Sequence, residues 1–255
     1  MDRPPGAPPR HRPRTGLWLA LILALSVGVF APTLLNGFTY DDPHYARLTN
    51  PDGERNPMVA SLQPFLDYWQ VPMNHGAGAP CRGFRPVTVY GYALVNHFAA
   101  DPVGDGEDAA MAHHIINLLL HGLGTLLVFF LIRPLLGVGP ALVGCMVFGV
   151  HALHSGAVAA IVGRAELLAF ALGAAATLLA TRALSPTSGR SAARLCAAGV
   201  MLLLAFASKE SAVAWVGFLP LYALARGVPL RPRGIAIALL LGLPLVLFLT
   251  LRQLM

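Results

Sequence analysis

Apolar residues fall along this chain in long, nearly uncharged runs, without the short periods of amphipathic helices or half-buried strands. Seven runs read as candidate membrane spans: Leu17–Leu35, His114–Ile132, Val138–Leu153, Ile161–Thr181, Leu195–Ala207, Ala212–Ala225 and Ile235–Leu251. Three of these are shorter than the ~17 residues a crossing needs, which predicts soft boundaries or re-entrant helices. The segment Pro86–Ala100 is apolar but carries Thr88, Asn96 and His97, and is predicted to lie along the interface. The pattern predicts an all-α, polytopic membrane protein with about seven transmembrane helices and one long loop, Asn36 to His113.

Composition agrees. Charged residues make up 12% of the 255 and hydrophobic ones 56%, against about 25% charged in soluble domains. The first run follows Arg3, Arg10, Arg12 and Arg14 and is 19 residues long, beyond the ~7–15 of a signal-peptide core. It reads as an uncleaved anchor. Residues 1–16 then form a basic cytoplasmic tail, and 17–255 a membrane domain carrying an exoplasmic loop over 36–113. Of the cysteines, Cys145 and Cys196 lie in apolar runs, so Cys81 alone faces the outer side and no internal disulfide is expected there.

The formal net charge of +6 could suggest a nucleic-acid partner, but its placement excludes one. With the basic N-terminus inside and each span reversing the chain, Arg133, Arg182, Arg190, Arg194, Arg226, Arg231 and Arg233 join the N-terminal arginines on the inner side. That is 11 of the 18 basic residues, the positive-inside pattern of a membrane protein. If Pro86–Ala100 crossed, the later arginine-rich loops would fall outside. Every acidic residue except Asp2 lies on the outer side or at its boundary. The Arg- and Ala-rich, lysine-poor composition points to a bacterial inner membrane with a periplasmic functional face.

That face carries four groups of interest. Asp41 and Asp42 follow the first span in Asn36-Gly-Phe-Thr-Tyr-Asp-Asp. A carboxylate held at the membrane surface can deprotonate a hydroxyl acceptor, while an N-cap with a solvated neighbour is the competing reading. His151 and His154 would share a helix face, as a ligand pair or as interfacial residues. Arg164 and Glu166 do not share a face, so they need separate partners. Lys209, in Ser-Lys-Glu-Ser, Arg85, in Arg82-Gly-Phe-Arg85-Pro86, and Arg164 could each meet a phosphate. No third metal ligand is evident near the histidines, so no metal is assigned, although a divalent ion stays compatible. Asp101 to Asp108 reads as a solvated turn.

The stretches NGFTYDDPHYARLTNP, FRPVTVYGYALVNHF, HHIINLLLHGLGTLL, HALHSGAVAAIVGRAELLA and SKES, in this order from about Asn36 to Pro220, resemble the membrane half of TMTC-type O-mannosyltransferases and their bacterial tetratricopeptide-linked relatives in the GT-C superfamily. The resemblance implies a multi-helix GT-C fold, a polyprenyl-phosphate-linked sugar as donor substrate, and inverting transfer on the exoplasmic face to a protein or glycan acceptor. It places the catalytic acids at Asp41 and Asp42. The family's His-Pro-x-His-x-Glu aligns with His151, Ala152, His154 and Gly156, so the proline and the acid are missing here. Its Gly-Arg-x-Asp becomes Gly163-Arg164-Ala165-Glu166. The chain lacks a 34-residue helical repeat and stops at Met255, which is expected of a fragment, a truncated product or a reduced relative. The sequence thus predicts a glycosyltransferase. Its rivals are a degenerate relative that binds a lipid phosphate or membrane partner, and a transporter suggested by the ionisable pair at Arg164 and Glu166.

Overall fold

The computed structural model describes residues 14–77, 83–185, 191–229 and 234–254. The basic tail over 1–13, Cys81, Arg82, Arg190, Arg231 and Arg233 lie outside the described residues. The described chain is helical, with one isolated antiparallel bridge between Thr49 and Arg55 as its β-type pairing. Eight helices carry the architecture: α1 Thr15–Phe30, α2 Pro86–Ala99, α3 Ala110–Leu136, α4 Val138–Val150, α5 Arg164–Ala183, α6 Ser191–Phe206, α7 Ala214–Ala225 and α8 Gly234–Leu254.

All seven apolar runs become helices, but not seven full spans. By length and composition, Thr15–Leu35, Glu107–Leu136, Ile161–Ala183 and Gly234–Leu254 suffice on their own. A fifth is broken: α4 ends at Val150, and the short helix that follows it is bent away by 47°. The run Val138–Leu153, one of the three short ones for which a soft boundary or re-entrance is expected, ends as a helix at Val150. Helices α6 and α7, of 16 and 12 residues, are short for a crossing. The chain is a membrane protein of the predicted all-α, polytopic kind. Segment Pro86–Ala99 is the helix α2, opened by a proline at its first position, where the missing N–H costs nothing.

Small residues let the helices approach closely, as membrane helices must when hydrophobicity alone does not drive association. α5 presents a run of buried alanines, among them Ala169, Ala176 and Ala180, to Ala198, Leu202 and Ala205 of α6. Ile22 of α1, Phe129 of α3, and Ala141 and Cys145 of α4 form a second core. At the crossing of these three helices a Cβ on Gly149 would stand 2.9 Å from the Ser26 Cβ, so only glycine fits. Ser26 and Thr125 share a hydrogen bond of 3.1 Å beside it.

The long loop builds a compact cap with its own core. Tyr45, Met58, Tyr68 and Met73 pack on Val89 and Tyr92 of α2 and on Ile161. Asn56 caps the short helix Pro57–Ala60 through the Met58 N–H. The Asp101–Asp108 turn is exposed, as its composition predicts, and gives anchors to the loop. Arg47 pairs with Asp105, and Arg55 donates to the Gly104 and Pro102 carbonyls. The start of α2 is tied to the end of α6 by Thr88 Oγ1 donating to the Ser208 carbonyl at 2.9 Å.

Candidate functional site

Several of the residues singled out in sequence, Asp42, His151, His154, Arg164 and Glu166, lie in or against the segment between α4 and α5. Asp42 is fully buried. Its Oδ2 accepts from the Thr39 N–H (3.0 Å) and hydroxyl (3.2 Å), the reach-back of a capping box. Its Oδ1 accepts from the Val162 N–H at 2.8 Å, across 120 residues. Asp41 occupies the N-cap position of the short helix Asp42–Tyr45 but makes no capping bond. Its exposed carboxylate has no hydrogen bond or ion pair among the described residues. The two adjacent acids therefore differ in kind: one is a strut and one is free.

Val162 leads directly into Gly163-Arg164, where a close approach is forced. A Cβ on Gly163 would lie 2.2 Å from the Ala157 carbonyl oxygen, so the turn folds onto its own backbone there. Arg164 then points inward. Its Nε donates to Asn117 Oδ1 (3.1 Å), Nη1 to the Gly91 carbonyl (3.0 Å), and Nη2 to His113 Nδ1 (3.1 Å) and the His113 carbonyl (2.9 Å). The guanidinium also sits 5.1 Å from the Tyr92 ring centroid, a cation–π distance. Burial pushes the Tyr92 phenol well above its ordinary value, with Arg164 opposing. Since His113 Nδ1 accepts a hydrogen bond from arginine, its Nε2 carries the ring proton and donates to Asn96 Oδ1 at 2.8 Å. Asn96 in turn donates to the Ala46 and Val59 carbonyls of the cap. Arg164 thus joins α5, α3, α2 and, through two further residues, the loop.

Glu166 faces the other way, as its angular offset from Arg164 predicts, and pairs with Lys209. Arg85 pairs with Glu210, with Nε and Nη2 each 3.0 Å from one oxygen. Burial alone would raise the Glu210 carboxyl; a backbone hydrogen bond and Arg85 hold it below the usual carboxylate range. Both cations therefore start with an acid partner.

The histidine pair departs from expectation because α4 ends before it. His151 is extended and exposed, its Nδ1 accepting from the Leu153 N–H. His154 closes a 3₁₀ turn and packs on Phe148, with ring centroids 4.3 Å apart. Only His154 reaches the cavity of about 650 Å³ that opens here. Its walls come from α3, α4, the turn, α5 and α7, and they include His121, Gly156, Glu166, Ser211 and Trp215. Nothing lies within 4 Å of a Cβ built on Gly156, so the missing family acid leaves open space. Among the described residues no three His, Cys, Asp or Glu side chains are grouped to hold a metal.

Sequence reasoning missed the polar face of α3. His113, Asn117 and His121 recur at intervals of four in an apolar span, which puts them on one side and is itself a signal for buried function or polar packing. His121 Nε2 donates to the Gly149 carbonyl (2.9 Å). The cavity aromatics Phe148, Phe170 and Trp215 gave no such signal, because aromatics inside apolar runs look like core.

No protein-family model matches the chain, and no solved structure matches it significantly. Curated proteins do. It is 26% identical to the protein O-mannosyl-transferase TMTC3 of Homo sapiens over 80% of its length. Identity is 35% over 62% of the chain to Tmtc1 of Drosophila melanogaster, and 32% over 62% to Tmtc2 of the same organism. The chain spans only 21%, 17% and 16% of those three proteins. Within that span it is similar to the TMTC-type protein O-mannosyl-transferases.

Proposed function

We propose that the chain is the membrane region of a glycosyltransferase. It transfers a hexose, mannose by analogy with its relatives' names, from a polyprenyl-phosphate donor to a hydroxyl of a protein acceptor on the exoplasmic face. The observation that carries this reading is the Asp42–Val162 hydrogen bond. It fixes the acidic pair of the first loop against the turn that leads into Glu166 and its partner Lys209.

Asp41, with free oxygens, is the general base. It takes the proton of the acceptor hydroxyl as that oxygen forms the new bond to the anomeric carbon. The carbon–oxygen bond to phosphate breaks, its electron pair leaves on the lipid phosphate, and the configuration inverts. Lys209 and Arg85 compensate the departing charge, with Glu166 and Glu210 holding them in place beforehand. Asp42 is a positioning residue. Arg164 contributes by keeping cap and bundle together, since its hydrogen bonds end on protein groups. With each span reversing the chain, Arg14, Arg133, Arg182, Arg194 and Arg226 fall on the inner side, away from the acids. That supports a cytoplasmic N-terminus and, for a bacterial inner membrane, a periplasmic site.

The test is transfer from a radiolabelled polyprenyl-phosphate mannose to protein in membranes carrying the chain. Label that is released by β-elimination and lost in Asp41→Asn is expected. Full transfer by Asp41→Asn overturns the assignment of the base. The empty space at Gly156 favours a second reading, a relative that binds polyprenyl phosphate without turnover. Retained donor binding with no transfer by the parent chain selects it.

A further inference from the structure

The lining of the cavity combines two chemistries. One is a run of ring contacts: His121 stacks with Phe148 at 6.0 Å, Phe148 with Phe170 at 5.2 Å, and Phe170 meets Trp215 at 5.7 Å. The indole is seated on bare backbone, since a Cβ on Gly173 would fall 2.2 Å from Trp215 Nε1. The same lining also carries polar groups with capacity to spare, His154 among them packed on Phe148. The His154 ring and the Ser211 hydroxyl make no hydrogen bond among the described residues, and Glu166 is held by Lys209 alone. His121, whose Nε2–H donates to a carbonyl, retains Nδ1 as an acceptor.

This combination suits one class of ligand. A lipid chain needs no polar partners, and a bare phosphate needs no aromatic wall. A pyranose ring needs both: flat apolar surface for its C–H face, and donors and acceptors for its rim of hydroxyls. The volume of about 650 Å³ holds such a ring with room for a substituent, within the ~300–1,000 Å³ of ordinary ligand sites. Gly156 keeps the floor open.

We infer that this cavity is a hexopyranose subsite, with the ring against the Phe148–Phe170–Trp215 wall and its hydroxyls bonded to Glu166, His154 and Ser211. The inference rests on the glycosyltransferase reading for the origin of the sugar, which arrives either as the head of the donor or on an acceptor glycan. The cavity and its selectivity are properties of these side chains alone.

The experiment is binding of methyl α-mannopyranoside and of mannose 1-phosphate to the full chain in nanodiscs, by saturation-transfer NMR. Saturation of ring C–H protons is expected, with affinity for both probes falling about tenfold or more in Gly156→Leu. That leucine enters open space, so an unchanged melting temperature will show the fold intact. Ser211→Ala and Trp215→Phe should each weaken binding less. A preference for mannose 1-phosphate that disappears in Lys209→Gln assigns the ring to the donor. Equal binding of the two probes assigns it to an acceptor, and either result supports the subsite. Unchanged affinity in Gly156→Leu and Trp215→Phe together overturns it. Sugar binding through this cavity in a chain that transfers nothing would break the transferase reading and leave the subsite standing. Full transfer by Gly156→Leu would break the subsite and leave the transferase.

Discussion

Arg164 and Glu166 begin the same helix two residues apart and live in opposite surroundings. Arg164 is 1% exposed, and four hydrogen bonds join it to α3, α2 and one buried histidine. Glu166 opens onto a cavity and holds a single lysine. About half a turn of helix thus separates polar groups that hold the structure from polar groups that are presented. The adjacent acids Asp42 and Asp41 repeat the division: buried and fully bonded beside exposed and free. In a chain with so few charges, a charged residue is informative mainly through what its neighbours leave for it to do.

The comparison is broken most severely at Arg164. Arg164→Met should strand Asn117, His113 and the Gly91 carbonyl, at ~1–3 kcal/mol for each buried group left unpaired. Thermal unfolding in detergent should show a loss of several degrees or an unfolded chain, and Arg164→Lys should recover only part of it, lacking the planar fork. Asp42→Asn comes next. Asparagine can still receive the Val162 N–H, but its amide then faces the Thr39 donors, a mismatch worth ~1–3 kcal/mol. Asp41→Asn sharpens the contrast, with stability expected within about 0.5 kcal/mol of the parent while transfer is abolished.

Smaller still is the effect of Glu166→Gln. Both partners are partly exposed, so the Lys209 pair contributes no more than about 1 kcal/mol to stability. Freed from its carboxylate, Lys209 should bind phosphate-bearing lipid several-fold more tightly, measured in nanodiscs against an uncharged lipid.

The mildest prediction concerns pH. Asp105 is held below the usual carboxylate range by its hydrogen bonds from the Glu107 backbone and Arg47, and Glu210 is held there despite its burial. Folded values below the unfolded ones mean that their contribution is complete above the ordinary carboxylate range and fades as pH falls through the depressed values. Hydrogen exchange in the Asp101–Asp108 turn, taken relative to the intrinsic rate at each pH, should therefore stay constant down to about pH 5 and rise only in more acid solution. A rise near neutrality would refute these assignments.

The helices were legible because an apolar run has few other uses, and α2 was legible as an element by its polar interruptions. The break after Val150 was announced only by the shortness of its run, which left its boundary soft or the helix re-entrant without saying where. His151 and His154 would suit a continuing helix by spacing, whereas the chain turns there and packs its backbone on Gly163. At the site, the offset of Arg164 from Glu166 followed from helix geometry, but their partners did not. Lys209 lies 43 residues from Glu166, and Glu210 lies 125 from Arg85. Pairings at such separations are set by how the helices pack, and no local pattern encodes them. Phosphate binding at Arg164, expected from an ionisable group in an apolar span, meets a side chain already turned to protein acceptors.

The 47° bend between α4 and the short helix after it has a consequence for the bilayer itself. A bent backbone exposes carbonyls and N–H groups that a straight helix would satisfy, and lipid offers them nothing. Such a break persists only where protein or water reaches it, and here it borders the cavity. Hydration entering at this point shortens the apolar barrier locally. A charged headgroup can then meet the chain below the level of the surrounding membrane surface, while its lipid tail stays in the bilayer.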